Sequence, residues 1–243
     1  MERVLVLGAT SAIAAEVAVL HAKRGDQLHL VGRDPDKLAT LRTRIPGASI
    51  EVADLVKVDA AALVQRAIDA LGGIDRVLIA HGALGDQLAT ERDAAAAIDV
   101  ITTNFTSAVA LLVPLANHFE QARAGRIGVI TSVAGDRGRS RNYTYGAAKG
   151  ALTIYLQGVR TRLYASNVAV TTLKLGPVDT PMTRGHGKHA LFGKVDRVAR
   201  NIVRAMDARE SEVYVPSVWA LIMPLVKRMP ERVFQKLAFL SGR

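Results

Sequence analysis

The first two dozen residues, MERVLVLGATSAIAAEVAVLHAKR, limit the fold more than any other part of this chain. Residues 3–7 are an apolar, β-branched run suited to a strand buried on both faces, Gly8-Ala9-Thr10-Ser11 makes a turn, and residues 12–24 carry a helical pattern. A strand that passes through one glycine turn directly into a helix leaves free N–H groups and the positive end of the helix dipole at the turn. That is a site for a phosphate group. The next apolar run, 27–31, ends in Gly32-Arg33-Asp34-Pro35, where Asp34 is placed to cap a helix beginning at Pro35.

Further strand-like runs lie near 48–52, 75–80, 125–131, 168–175 and 212–215, with helical segments between them and no repeat or low-complexity linker. Strict alternation of strands and helices predicts right-handed crossovers and a parallel sheet with helices on both faces, an α/β fold of the doubly wound Rossmann type with seven strands. Ligands of such folds bind beyond the carboxyl ends of the strands. The reading gives one domain over 1–215, including a substrate lid over 183–194, and a tail over 216–243 that is not an independent domain.

Four residues carry the chemistry. Tyr145 and Lys149 stand one helical turn apart, Ser132 closes the strand-like run before them, and Asn104 lies further back in a long alanine-rich helix over 94–119. A free phenol has a pKa of about 10, and an ammonium on the same helix face favours its ionised form. The Ser132 hydroxyl can hold a substrate oxygen against the Tyr145 proton. A tyrosine and a lysine at this spacing can equally well line an amphipathic helix, so the weight rests on their context.

That context resembles the short-chain dehydrogenase/reductase family over nearly the whole chain. The turn at Gly8 keeps the first glycine of the family motif and has Ala12 and Ala14 in place of the others. Asp54, the glycine of Ile79-Ala80-His81-Gly82, Asn104, and the segment from Leu175 to Met182 follow in family order. The resemblance implies that Asn104, Ser132, Tyr145 and Lys149 are catalytic. It further implies that Gly8, Thr10, Ser11, Ala12, Ile13, Arg33, Asp54, Leu55, His81, Gly82, Tyr145, Lys149, Gly176, Val178 and Thr180 bind a dinucleotide. Lys149 then also holds the nicotinamide ribose, and Asn104 orders a water linking the ammonium to solvent. The arginine-rich loop 136–143 and the tail are similar to a bacterial branch that includes the reductase of decaprenylphosphoryl-2-keto-ribose, which works with a flavin-dependent oxidase.

The expected activity is reduction of a ketone to a secondary alcohol. A keto sugar on a polyprenyl phosphate leads, a general soluble carbonyl reductase is the alternative, and a non-catalytic dinucleotide sensor is the third reading. Gly32 followed by Arg33 at the end of the second strand favours NADP(H), because a guanidinium pairs bidentately with a 2′-phosphate; Asp34 nearby keeps NAD(H) as the alternative. Arg137, Arg139 and Arg141 either reach a substrate phosphate or are merely solvated.

The chain has 32 basic and 22 acidic residues, a net charge of +10. No basic run with interleaved aromatics suggests nucleic acid, so the charge points to cofactor phosphates, an anionic substrate or an anionic membrane surface. Cysteine is absent, which excludes a disulfide framework and a thiol nucleophile. A cytoplasmic protein without a signal peptide is expected, peripheral at the inner face of the membrane if the tail binds lipid. His186 and His189 are spaced like metal ligands but lack a cysteine or carboxylate companion, so no metal is expected. The apolar run 218–226, with Trp219 and flanking Lys227, Arg228, Arg232 and Lys236, is too short to span a bilayer. It suits an amphipathic surface element or a helix packed on the protein itself. The family resemblance implies a homodimer or homotetramer through the helices carrying Asn104 and Tyr145.

Overall fold

The structure, a computed structural model, describes residues 1–183 and 191–237. Strands β1 (Arg3–Leu7), β2 (Gln27–Gly32), β3 (Ser49–Val52), β4 (Arg76–Ile79), β5 (Gly125–Ser132), β6 (Val168–Leu175) and β7 (Glu212–Val215) form one parallel sheet in the order β3-β2-β1-β4-β5-β6-β7. Their ends fall within one residue of the apolar runs. Between them lie α1 (Ala12–Ala22), α2 (Pro35–Arg44), α3 (Ala60–Leu71), α4 (Gln87–Thr90), α5 (Ala94–Ile101), α6 (Ser107–Ala122), α7 (Tyr143–Leu163) and α8 (Val195–Asp207). Two helices, α9 (Trp219–Arg228) and α10 (Glu231–Lys236), follow the last strand.

Side chains alternate across a strand, and β1 shows the result directly. Val4 and Val6 enter one core with Val17 of α1, Leu38 of α2 and Ile202 of α8. Leu5 and Leu7 enter the other with Leu63 of α3, Leu111 of α6 and Leu156 of α7. Each such leucine or valine taken from water contributes about 1.5–3 kcal/mol, which explains why the central strands are apolar on both faces.

The long helix expected over 94–119 is interrupted. Between α5 and α6, residues Thr102–Thr106 form a wide π turn, and Asn104 in that turn is buried. Such a turn inserts one extra residue and redirects a side chain, a feature common at functional sites. By length and composition Ala94–Ala122 could cross a membrane. Leu111, Leu112, Leu115 and Phe119 instead pack into the core against the sheet.

Because β1 continues to β2 on one side and neighbours β4 on the other, the chain leaves their carboxyl ends in opposite directions. A crevice opens there, at the point where the strand order reverses.

Candidate active site

The crevice is a cleft of about 750 Å3 above the carboxyl ends of the central strands. Gly8, Thr10, Ser11, Ala12 and Ile13 line one end. Gly8 has a φ of 85°, and a Cβ there would lie 2.6 Å from the His81 nitrogen, so only glycine lets the β1 turn approach the end of β4 this closely. The Gly8 and Ala9 N–H groups both donate to the Val31 carbonyl at 2.9 Å and tie the turn to β2. Ser11 caps α1 in extended conformation without a side-chain hydrogen bond, so the helix start keeps the open N–H groups that suit an anion. The two alanines that replace family glycines differ in consequence. Ala14 is fully buried in the core, whereas Ala12 lines the cleft.

Past the end of β2, Arg33, Asp34 and Lys37 line the same end of the cleft. The Asp34 carboxylate accepts from the Lys37 N–H at 3.1 Å and pairs with the Lys37 ammonium at 2.9 Å, and these contacts hold it below its ordinary pKa. It is thus engaged as the cap of α2. Lys37 is a cleft residue that sequence reading overlooked, although its place one turn into a capped helix beside Arg33 could have revealed it. Asp54 accepts from the Val56 N–H at 3.0 Å and lines the cleft with Leu55.

His81 is part-buried, and desolvation first, then the Lys149 charge, push its pKa down to about 3. The Ser107 hydroxyl donates to the Thr103 carbonyl at 2.9 Å, so at 2.8 Å it accepts from Nε2–H of a neutral His81. This leaves Nδ1 as a buried acceptor with no partner among the described residues. Gly82 leaves room for both Asn104 and Lys149: a Cβ there would lie 2.7 Å from Asn104 Oδ1 and 3.3 Å from Lys149 Nζ. Asn104 accepts from the Ala83 N–H at 3.1 Å and donates to the Ala83 carbonyl at 2.7 Å and the Val100 carbonyl at 2.9 Å.

Ser132 ends β5 and caps the short turn Val133–Gly135, its hydroxyl accepting from the Ala134 N–H at 3.1 Å. Helix α7 then rides directly over this turn. A Cβ on Gly146 would lie 2.7 Å from the Ala134 carbonyl oxygen, and one on Gly150 would lie 2.8 Å from that of Gly135. These two glycines, each following a key residue, let α7 carry Tyr145 to the cleft that Ser132 lines. Sequence reading singled out Tyr145 and Lys149 and passed over Gly146 and Gly150.

The electrostatics differ from the expected ones. Burial pushes the Tyr145 phenol up to about 12, with the influence of the Ser132 hydroxyl opposing it, so the phenol is protonated at neutral pH. Lys149 stands 5.9 Å from the Tyr145 ring centre and donates to the Ile130 carbonyl at 3.1 Å. Burial pulls its own pKa down to about 8. Desolvation therefore outweighs the expected ionising effect of Lys149 on the phenol. A protonated phenol and a serine hydroxyl that both line the cleft can each turn an O–H toward one oxygen atom.

The end of β6 supplies Gly176, Val178 and Thr180 to the cleft. Gly176 donates to the Val215 carbonyl at 2.9 Å, and a Cβ on it would overlap the indole of Trp219 from α9. The three arginines diverge. Arg137 is turned away from the cleft and bound to the tail, Arg139 reaches toward Met223 of α9, and only Arg141 lines the cleft. His186, His189 and most of the expected lid lie outside the described residues. Among the described residues, Glu2, His21 and Asp26 have metal-ligand spacing at the opposite end of the sheet. Glu2 is already paired with Arg76 and Arg126, and Asp26 with His21.

Residues 2–190 match the sequence pattern of the short chain dehydrogenase family. The chain belongs to that family. It is 32% identical over 242 residues to an uncharacterized oxidoreductase of Mycobacterium tuberculosis, with 96% of each chain covered. To another uncharacterized oxidoreductase, from Streptomyces coelicolor, it is 30% identical over 238 residues, covering 96% of this chain and 94% of the relative. Both alignments extend past residue 190 into the tail. Among solved structures, a short chain dehydrogenase/reductase family protein superposes with a TM-score of 0.79 at 25% identity, covering 88% of this chain and 97% of that one. Levodione reductase gives a TM-score of 0.78 at 21% identity, covering 87% of this chain and 95% of that one, a likeness of fold. The family and these relatives make the chain an oxidoreductase that works on CH–OH and C=O groups with NAD(P).

Proposed function

We propose that this protein reduces a ketone to a secondary alcohol and prefers NADPH. The observation that carries the reading is the Tyr145 and Ser132 pair, a protonated phenol and a hydroxyl lining one cleft that also holds Lys149. The cleft suits a dinucleotide: the glycine turn before α1 is open to a phosphate, and the buried Nδ1 of His81 awaits a donor. A nicotinamide held in this cleft would supply the hydride. Ser132 and Tyr145 orient the ketone oxygen, and Tyr145 gives its proton to that oxygen as alkoxide charge develops. Lys149 would hold the ribose hydroxyls of that cofactor, and Asn104 fixes the loop at Gly82 and Ala83 beside the ammonium.

The preference for NADPH rests on Arg33 and Lys37. Both line the cleft beyond β2, and the nearby Asp34 is engaged by Lys37 and by its capping role, so it does not stand free to repel a 2′-phosphate. A keto sugar on a polyprenyl phosphate remains the first candidate within the ketone class. The test is oxidation of NADPH and NADH against a panel of ketones that includes keto sugars. The reading requires ketone-dependent turnover, faster with NADPH at low cofactor concentration. Absence of turnover with every ketone, or an NADH preference, would remove the corresponding part of it.

A further inference from the structure

The two ends of the cleft differ in charge. Among its described lining residues the carboxylates are Asp34 and Asp54, both on the side of β2 and β3. Around Ser132 and Tyr145 the lining includes Leu84, Asn142, Arg141 and Phe192, with no carboxylate.

The loop joining Ser132 to α7 carries more positive charge than its surroundings neutralise. Its acid, Asp136, is fully occupied: it accepts from the Lys174 ammonium at 2.7 Å and from the Tyr214 hydroxyl at 2.6 Å. Arg137 is paired with Glu231 at 2.7 Å. Arg139 and Arg141 have no ion pair among the described residues. Arg139 is part-buried, its Nε has no hydrogen-bond partner among the described residues, and its guanidinium donates to the Met223 sulfur at 3.9 Å. Burial and the repulsion of neighbouring Arg141 both push the Arg139 pKa down. Two like charges held side by side, with Asp136 as their nearby carboxylate already shared with Lys174 and Tyr214, cost free energy that an added anion would relieve.

We propose that the substrate is an anionic ketone, bearing a phosphate or carboxylate that Arg141 binds at the cleft while Arg139 behind it adds to the local positive potential. This rests on the reading of Ser132 and Tyr145 as the groups that hold the ketone oxygen. A guanidinium meets either oxyanion bidentately, and a charge-assisted contact of this kind changes affinity by about tenfold to a hundredfold. Leu84 and Phe192 offer apolar contact to the rest of the substrate.

The test uses a matched pair, dihydroxyacetone phosphate and dihydroxyacetone, with wild type and Arg141→Gln. Both turnover and binding to NADP+-saturated protein are measured. The wild type is expected to favour the phosphate at least about tenfold in kcat/KM and in affinity, and Arg141→Gln to collapse that ratio, chiefly through KM. Arg141→Lys should restore part of it, since charge returns without the bidentate fork. Reduction of both ketones without preference would overturn the anion site while leaving ketone reduction intact. Lack of turnover accompanied by phosphate-selective, Arg141-dependent binding would uphold the anion site and count against the redox reading. Competition by butyl phosphate and farnesyl phosphate separates the sources: equal inhibition indicates a soluble phosphate, and much stronger inhibition by farnesyl phosphate a lipid carrier. Loss of both inhibitions in Arg141→Gln is required in either case.

Discussion

The Arg137 guanidinium lies 4.1 Å over the ring of Phe234, joining the loop after the Ser132 strand to the last helix. The same group donates to the Val226 carbonyl at 2.7 Å and the Met229 carbonyl at 2.5 Å. Val133, next to Ser132, shares one apolar cluster with Trp219, Met223, Val226 and Phe234. The C-terminal helices therefore back the turn that carries the Ser132 hydroxyl. Their outer face keeps Leu221 and Leu225 exposed.

Arg137→Ala should destabilise the protein by about 1–3 kcal/mol, since it leaves two part-buried carbonyls without their donor. Because the loop is held by these contacts, kcat should fall more than cofactor affinity. Chemical denaturation and steady-state kinetics read the two effects. Unchanged stability and turnover would mean that the tail merely rests on the loop.

Arg33→Ala should weaken NADPH binding by about 1–3 kcal/mol and leave NADH nearly untouched, because only the 2′-phosphate is served by that guanidinium. Fluorescence titration with both cofactors checks this. Equal losses would place Arg33 elsewhere on the dinucleotide.

Lys149 titrates near 8 in the folded protein, below its ordinary value of 10.5, so the unfolded chain binds more protons between these limits. Burial of this ammonium thus lowers stability below pH about 8, and the deficit shrinks as pH rises toward 10.5. Lys149→Met should consequently melt at a higher temperature than wild type at pH 7, with a smaller difference at pH 10, while losing turnover. A difference independent of pH would contradict the buried charge as its cause.

Ile98 and Ile101 of α5, Val113 of α6 and Ile154 of α7 are exposed, and we propose that they take part in a contact between two copies of the chain. Ile154→Asp should shift the mass measured by light scattering toward monomer. An oligomer of unchanged mass would move the contact away from α7.

Much of this architecture is legible in the chain because apolar β-branched runs and the turns between them fix strands locally. Ser132, Tyr145 and Lys149 are legible for a similar reason, as two of them share one helix face. The π turn at Asn104 is not, since its extra residue depends on packing around Gly82 and the Ala83 backbone. Nor is the fate of the arginines. Arg137, Arg139 and Arg141 alternate identically in sequence, and only tertiary contacts direct the first two to the tail and leave the third in the cleft. The direction of the Tyr145 shift was equally hidden, because desolvation depends on a burial that α7 achieves through Gly146 and Gly150.

The most direct measurement is NADPH-dependent ketone reduction by Tyr145→Phe, made alongside cofactor titration. Removing one hydroxyl takes away the proton donor and leaves the ring that packs beside Lys149. Turnover should fall about a hundredfold to ten-thousandfold, the scale of general acid catalysis, with cofactor affinity retained. Turnover close to wild type would contradict the assignment of the proton to Tyr145, and with it the central account of this site.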